Sequence, residues 1–289
     1  IDTTDPTLST VTIVSNNAIT TLAKTDDIIT LTFTPEETIK TPSVSIAGHT
    51  AENLNASGSS WIATYAMKST DSDNLTVSLN VSFSDLADNA GDNVTTTTDG
   101  SAVFFDRTPP IVDEETAVPN PTNVNTPSYT FTSNDVGTIT YGGSCSSSSL
   151  DNKSVVGNNT IIFNALPDGT YDNCTITVTD NASNPIIQRV TPFTIDTTAP
   201  SLNEVTAVPN PTSDNTSDYT FYSTEAGDIT YGGSCSSSID NNTTTEADNI
   251  TTVTFNALAD GTYDDCKISV TDNASNTSDN LTVSEFTIG

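Results

Sequence analysis

Asp168-Gly169-Thr170-Tyr171-Asp172-Asn173-Cys174-Thr175-Ile176-Thr177-Val178-Thr179-Asp180-Asn181-Ala182-Ser183-Asn184 reads as a turn, a strand and a second turn. Cys174, Ile176 and Val178 alternate with threonine. A period of two puts the apolar side chains on one face of an extended strand and the hydroxyls on the other. The Asp, Asn, Gly and Ser clusters on either side are residues that turn the chain, because their short side chains bond their own backbone or relieve its sterics. The phrase returns at Asp260–Asn276, 92 residues on, with Cys266, Ile268 and Val270 in the alternating places.

Working outward, Val118-Pro119-Asn120-Pro121-Thr122 returns at Val208–Thr212, and Tyr141-Gly142-Gly143-Ser144-Cys145 at Tyr231–Cys235, both 90 residues on. Two residues are therefore inserted between these landmarks and the first phrase. A repeat of ~90 residues is too long for a solenoid and fits a small domain that closes its own core. The alternation continues through Tyr129 and Phe131, Ile139 and Tyr141, and Ile161 and Phe163; the diverged N-terminal part keeps it in Ile29, Leu31 and Phe33, and from Leu75 to Phe83. Phe193-Thr194-Ile195-Asp196-Thr197-Thr198-Ala199-Pro200, echoed by Val103–Pro110, reads as a last strand followed by a proline that cannot continue the ladder. The expected fold is all-β, three tandem antiparallel sandwiches forming an elongated rod, with divisions at 1–106, 107–196 and 197–289. Ile1–Pro6 matches Ile195–Pro200, which suits either a stretch of a longer array or a subunit whose ends meet those of its copies, with Ile1–Thr4 donated to a neighbour's sheet.

Four motifs resemble the bacterial immunoglobulin-like domains strung in tandem along large secreted and cell-surface proteins. They are the boundary phrase Phe193–Pro200, the turn Asp168-Gly169-Thr170-Tyr171, the hairpin Asp180-Asn181-Ala182-Ser183-Asn184, and Asp85-Leu86-Ala87-Asp88-Asn89-Ala90-Gly91. The resemblance covers all three units and implies the immunoglobulin-like sandwich. On function it implies little, since members serve as stalks, spacers, adhesive modules and appendages of enzymes.

The four cysteines fall two per unit, Cys145 with Cys174 and Cys235 with Cys266. Disulfides within each unit would leave none over and would indicate an oxidising, extracellular location; reduced core cysteines are the alternative. The bond would staple neighbouring strands, or a Ser-rich loop to its sheet, instead of crossing the core, since Cys145 follows the third strand and Cys174 falls on the sixth. With 37 acids, 7 bases and a net charge of -30, the chain lacks the basic patch that nucleic acid or an anionic membrane requires. No stretch approaches the ~20 apolar residues of a membrane span. His49 is the only histidine, no nucleophile elbow or phosphate loop occurs, and the repeated units read as scaffolding, so no enzyme activity is expected.

Calcium is the cofactor to look for, because carboxylates and Asn carbonyls from two units would converge at each boundary. Asp106, Asp113 and Glu114 are the candidate ligands at one junction, Asp196 and Glu204 at the other, with the hairpin acids Asp85, Asp88, Asp180 and Asp272 able to approach. The same side chains could instead simply bond turn backbone. Trp61 with Tyr65 is the candidate platform for a surface glycan, or else the core plug of its sandwich. The expected role is that of an extracellular stalk or fibre segment of an adhesin or appendage. A self-assembling filament or surface layer is the first alternative and a glycan-binding module the second. Expected partners are neighbouring repeats or copies of the chain.

Overall fold

The computed structural model describes residues 2–148, 152–238, 243–244, 247 and 249–289. No described residue is helical, and the strands fall into three sets, each around its own apolar core. Every sheet is built within one set. The chain is a tandem of immunoglobulin-like β-sandwiches.

In the second unit, Val112–Thr116, Ser128–Ser133 and Gly157–Ile162 form one antiparallel sheet. Lys153–Ser154, Gly137–Gly142, Thr175–Asp180 and Pro185–Arg189 form the facing one. Gly169–Tyr171 pairs with the closing strand Phe193–Ile195, and Thr122 makes a parallel bridge to Ile195. The third unit repeats this, from Leu202–Thr206 to the closing strand Phe286–Ile288 with its bridge to Thr212. In the first unit, Leu8–Ser15, Ile28–Pro35, Ser60–Ala66 and Asn53–Ser57 make one sheet. Ser43–Ile46, flanked by His49–Thr50 and Leu79–Ser82, and the closing strand Phe104–Phe105 lie opposite.

The alternation accounts for the cores. Tyr129 and Phe131 enter from one sheet and Ile139, Ile176 and Val178 from the other, all nearly inaccessible, while Thr130 and Thr160 meet outside, hydroxyl to hydroxyl at 2.8 Å. The rings of Tyr129, Phe163, Phe193 and Tyr171 stack in series with centroids 6.1, 6.3 and 5.3 Å apart. Tyr219, Phe255, Phe286 and Tyr263 repeat the column at 6.0, 6.3 and 5.3 Å. Burying each such ring stabilises its unit by ~1.5–3 kcal/mol. These columns are the apolar frame on which the loops at each end are hung.

Disulfides join Cys145 to Cys174 and Cys235 to Cys266, with Cα atoms 5.2 Å apart in both. Gly142–Thr175 is the last pair of its ladder, and the bond lies just beyond it, between neighbouring strands of one sheet. Cys174 and Cys266 immediately precede their strands rather than lying on them. The Gly-Gly of the Tyr-Gly-Gly-Ser-Cys motif makes the approach possible. Gly143 has φ +70°, and a Cβ there would lie 2.1 Å from the Asn173 carbonyl oxygen; Gly233 has φ +74° and the same 2.1 Å clash at Asp265. Residues 2–7 form no strand, and Ile1 lies outside the described residues.

Loops of 29 and 31 residues closed by these bonds make the second and third units depend on them, and the cysteine-free first unit not. Reduction should destabilise those two by about 2–4 kcal/mol each. Calorimetry with and without reductant should show two units melting earlier and one unchanged.

Candidate functional site at the unit junctions

Each unit carries the same five-residue turn at one end. The Asp180 amide donates to the Asn184 carbonyl at 3.1 Å, and the Ser183 amide returns to the Asp180 carbonyl at 3.1 Å. Ser183 sits at φ 75°, the left-handed region that closes the turn. The Asp180 carboxylate, buried, accepts the Asn184 amide at 2.8 Å and its side-chain Nδ2 at 2.9 Å. The other Nδ2 hydrogen goes to the carbonyl of Asp106, in the linker, at 3.0 Å. Asp272 and Asn276 repeat all of it, with Nδ2 reaching the Asp196 carbonyl at 2.8 Å. Asp85 and Asn89 hold Asp2 likewise, at 3.2 Å.

The linker is gripped from the preceding unit as well. The Asp106 amide donates to the Ala23 carbonyl at 2.9 Å and the Asp196 amide to the Thr122 carbonyl at 3.0 Å, closing each last strand. Asp168 accepts the Thr197 amide at 3.0 Å and the Thr197 and Thr198 hydroxyls at 2.8 and 2.9 Å. Asp73 takes the Arg107 amide at 2.8 Å and the Thr108 hydroxyl in the same manner. One residue past Ala23, Lys24 donates its Nζ to the Ser183 carbonyl at 2.8 Å; one residue past Thr122, Asn123 donates Nδ2 to the Ser275 carbonyl at 3.1 Å. Asn17 adds a bond to the Ala182 carbonyl at 3.0 Å. The foot of one unit thus rests on the hairpin of the next through a side-chain donor and the carbonyl of the left-handed residue, twice over.

These contacts bring carboxylates together. Asp106, Asp135 and Asp180 present oxygens within 4.8 Å of one another, as do Asp196, Glu225 and Asp272, and Asp2, Glu37 and Asp85. Each cluster takes one acid from the linker, one from two residues beyond an equivalent strand, and one from the hairpin. At an effective dielectric of ~20, two such charges repel by about 3 kcal/mol, and by less where water enters. Burial, together with the charges of Asp180, Asp73 and Asp135, raises the Asp106 carboxyl above its ordinary value despite the Thr108 amide bonded to it. Burial and the charges of Asp196 and Asp272 raise Glu225 in the same way. The linker caps go in the opposite direction. The hydroxyls and amide of Thr197 and Thr198 lower Asp168, and at Asp73 burial is outweighed by the bonds from Thr108 and Arg107.

Of the sequence-derived metal ligands, Asp106 and Asp196 belong to these clusters, and Asp113, Glu114 and Glu204 do not. Glu114 accepts the amide and hydroxyl of Thr191 at 3.0 and 2.6 Å, tying the first strand of its unit to the loop before the last. Glu204 does the same for Ser284 at 3.0 and 2.7 Å. Asp113 points outward from the Val112–Thr116 strand. Asp88 is at the hairpin tip in an exposed ion pair with Lys40. Asp2, Glu37, Asp135 and Glu225 escaped the sequence reading; their signal was the recurrence of an acid two residues after each equivalent strand. The two-ring glycan platform is corrected too. Tyr65 is 1% exposed, bonds Asp71 at 3.2 Å and stacks on His49 at 5.4 Å, so no sugar reaches it. Trp61, half-buried, packs against the core beside it. His49 is exposed, with its Nε2 3.1 Å from a carboxylate oxygen of the buried Asp71.

No family model matches the chain, and no curated protein matches it. Among solved structures, it is similar to fibronectin(III)-like modules of Clostridium thermocellum CbhA, at 9% identity over 63% of this chain and 93% of that one, TM-score 0.32. The ICAM-5 D1–D4 ectodomain is similar at 8% identity over 96% and 77%, TM-score 0.31. The titin I9–I11 tandem is similar at 8% over 89% and 93%, TM-score 0.30.

Because the Asp168 carboxyl is held low in the folded chain, its contribution is complete at neutral pH and is lost as pH falls through that lowered value. Amide exchange at Thr197 should therefore accelerate only below about pH 4, and Asp168→Asn should accelerate it already at pH 7. Lys24→Ala with Asn123→Ala should broaden the distribution of angles between units in small-angle scattering, and leave each unit's melting within ~0.5 kcal/mol of its original stability.

Proposed function

We propose that the chain is a non-catalytic extracellular spacer, a stalk or fibre segment of a surface adhesin or appendage, whose work is to hold its units in line. The observation that carries this reading is the duplicated joint. Linker caps, hairpin amide and foot donor recur at both junctions at equivalent positions, which a flexible string of domains would not need. The disulfides support the location, since such bonds persist in oxidising surroundings. Scattering from the dilute chain tests the reading: a maximum dimension near that of three units in line is expected, shortened on average by Asn184→Ala with Asn276→Ala. A compact or freely bending chain would remove the spacer role.

We further propose that calcium binds at the joints. The donor set suits a hard cation: three carboxylates from separate elements present oxygens within 4.8 Å of one another, and calcium takes oxygen ligands, water among them. An ion there would cancel the repulsion that raises Asp106 and Glu225. Calcium at ~100 times its dissociation constant would stabilise each joint by about 2.7 kcal/mol. Melting and scattering with calcium and with chelator should therefore differ, and Asp135→Asn with Glu225→Gln should abolish the difference. Identical curves in the original protein would remove calcium and leave the spacer reading standing.

A further inference from the structure

The sequence contains fifteen Asn-x-Ser/Thr sequons, the acceptor motif for N-linked sugar, and the structure separates them by what each asparagine does. Thirteen fall on described residues. Among the described residues, ten of the thirteen make no side-chain hydrogen bond; Asn173, Asn249 and Asn276 are the exceptions. The fourteen described asparagines that begin no sequon show the reverse, since all but Asn125 and Asn203 bond through the side chain. Two of them, Asn120 and Asn210, sit in Asn-Pro-Thr, where the proline blocks the motif, and their Oδ1 atoms accept the amides of Thr194 and Thr287 at 3.0 and 3.1 Å. Asparagines that the fold uses therefore lie mostly outside sequons, and those it leaves idle lie mostly within them. Composition alone would divide the thirteen about evenly between the two groups.

Nine of the ten idle asparagines are exposed, three on each unit: Asn55, Asn74 and Asn93 on the first, Asn152, Asn158 and Asn181 on the second, and Asn215, Asn273 and Asn280 on the third. The tenth, Asn80, has its Oδ1 buried. Five of the nine stand at sheet edges. Asn55 and Asn158 lie on the edge strands Asn53–Ser57 and Gly157–Ile162. Asn74, Asn152 and Asn280 immediately precede the edge strands Leu75–Thr76, Lys153–Ser154 and Leu281–Thr282. Such edges present unpaired backbone groups to any other chain, and stable sheets cover or blunt them. Asn181 and Asn273 are at the tips of the joint hairpins and take no part in the bonds that build them.

Resting on the extracellular reading, we propose that these nine asparagines are sites of N-linked glycosylation. The donor is an oligosaccharide carried on a lipid pyrophosphate. The asparagine Nδ2 bonds to the anomeric carbon of the sugar as the bond from that carbon to the pyrophosphate oxygen breaks. The lipid pyrophosphate leaves with the bonding pair, and the amide gives up one proton to a base of the transferase. At the nine positions the sugar displaces no hydrogen bond of the fold, and at five of them it covers a strand edge. Asn276 is excluded although it begins a sequon, because its Nδ2 donates to both the Asp272 carboxylate and the Asp196 carbonyl, and sugar there would open the joint. The two disulfides fit the same route, since they form in the oxidising compartments that exported chains pass through.

The test is mass spectrometry of peptides from the chain purified from its source, with fragmentation that separates Asn273 from Asn276. Saccharide masses are expected on the peptides holding the nine, and bare asparagine at Asn80 and Asn276. Ser183→Ala with Ser275→Ala, expressed in the same source, removes the sequon hydroxyls and keeps the asparagines, and should strip sugar from Asn181 and Asn273 alone. Nine bare asparagines, sugar on Asn276, or sugar retained at Asn181 and Asn273 in the variant would each overturn the proposal. The same peptides report the cysteines. Bare asparagines beside intact Cys145–Cys174 and Cys235–Cys266 bonds sink the glycosylation alone, and bare asparagines with reduced cysteines sink the extracellular location first.

Discussion

The side-chain amide of Asn184 has two hydrogens and spends them on two different bodies, one on the Asp180 carboxylate in its own hairpin and one on the Asp106 carbonyl in the linker. That division ties a turn to the chain entering its unit. Everything else at the joint follows from it. The linker must pass close to the hairpin, the linker carboxylate must share space with the hairpin carboxylate, and the preceding foot must come within reach of the hairpin's outward carbonyl. Asn276 imposes the same constraint at the next joint.

That constraint sets up an electrostatic conflict. The Asp180 and Asp272 carboxylates are buried in the turns they organise, each accepting the backbone amide and the side-chain amide of the asparagine that closes the turn. Asp106 and Glu225 have been brought beside them, and burial together with those neighbouring charges raises their proton affinity. A group of like charges at one place in an already acidic chain is unfavourable unless something cationic is there. The linker caps go the other way: Asp168 accepts from the hydroxyls and amide of Thr197 and Thr198, and Asp73 from Thr108 and Arg107, and these bonds lower both carboxyls.

The first unit shows which features of the design are separable. It lacks the disulfide and the ring column, and uses instead Phe33, Tyr65 and Phe105 in its core and a His49–Asp71–Tyr65 contact under its edge. Its hairpin and foot are nonetheless those of the other units. Core packing can therefore change within a unit while the contacts between units are kept, because the joint depends on backbone carbonyls and on four or five polar side chains, none of them in the core.

The period-two alternation of Tyr129, Phe131, Ile139, Ile176 and Val178, and its return about 90 residues later, was enough to specify strands, two-sheet units and their number, because strand periodicity is a local property that burial merely enforces. The cysteine pairs were legible from the repeat, which puts two in each of the second and third units and leaves none over. The joints were legible only in part. Asp106 and Asp196 stood out at the boundaries, but Glu114 and Glu204, equally acidic and equally near, turn to Thr191 and Ser284. Asp135 and Glu225 come from loops distant in sequence, and Tyr65 faces inward by the parity of its strand. Sequence alone determined which residues lie on which face of which strand. Only the tertiary structure decided which acids meet and which foot rests on which hairpin, because those distances depend on loops folding across units, where no periodicity constrains them.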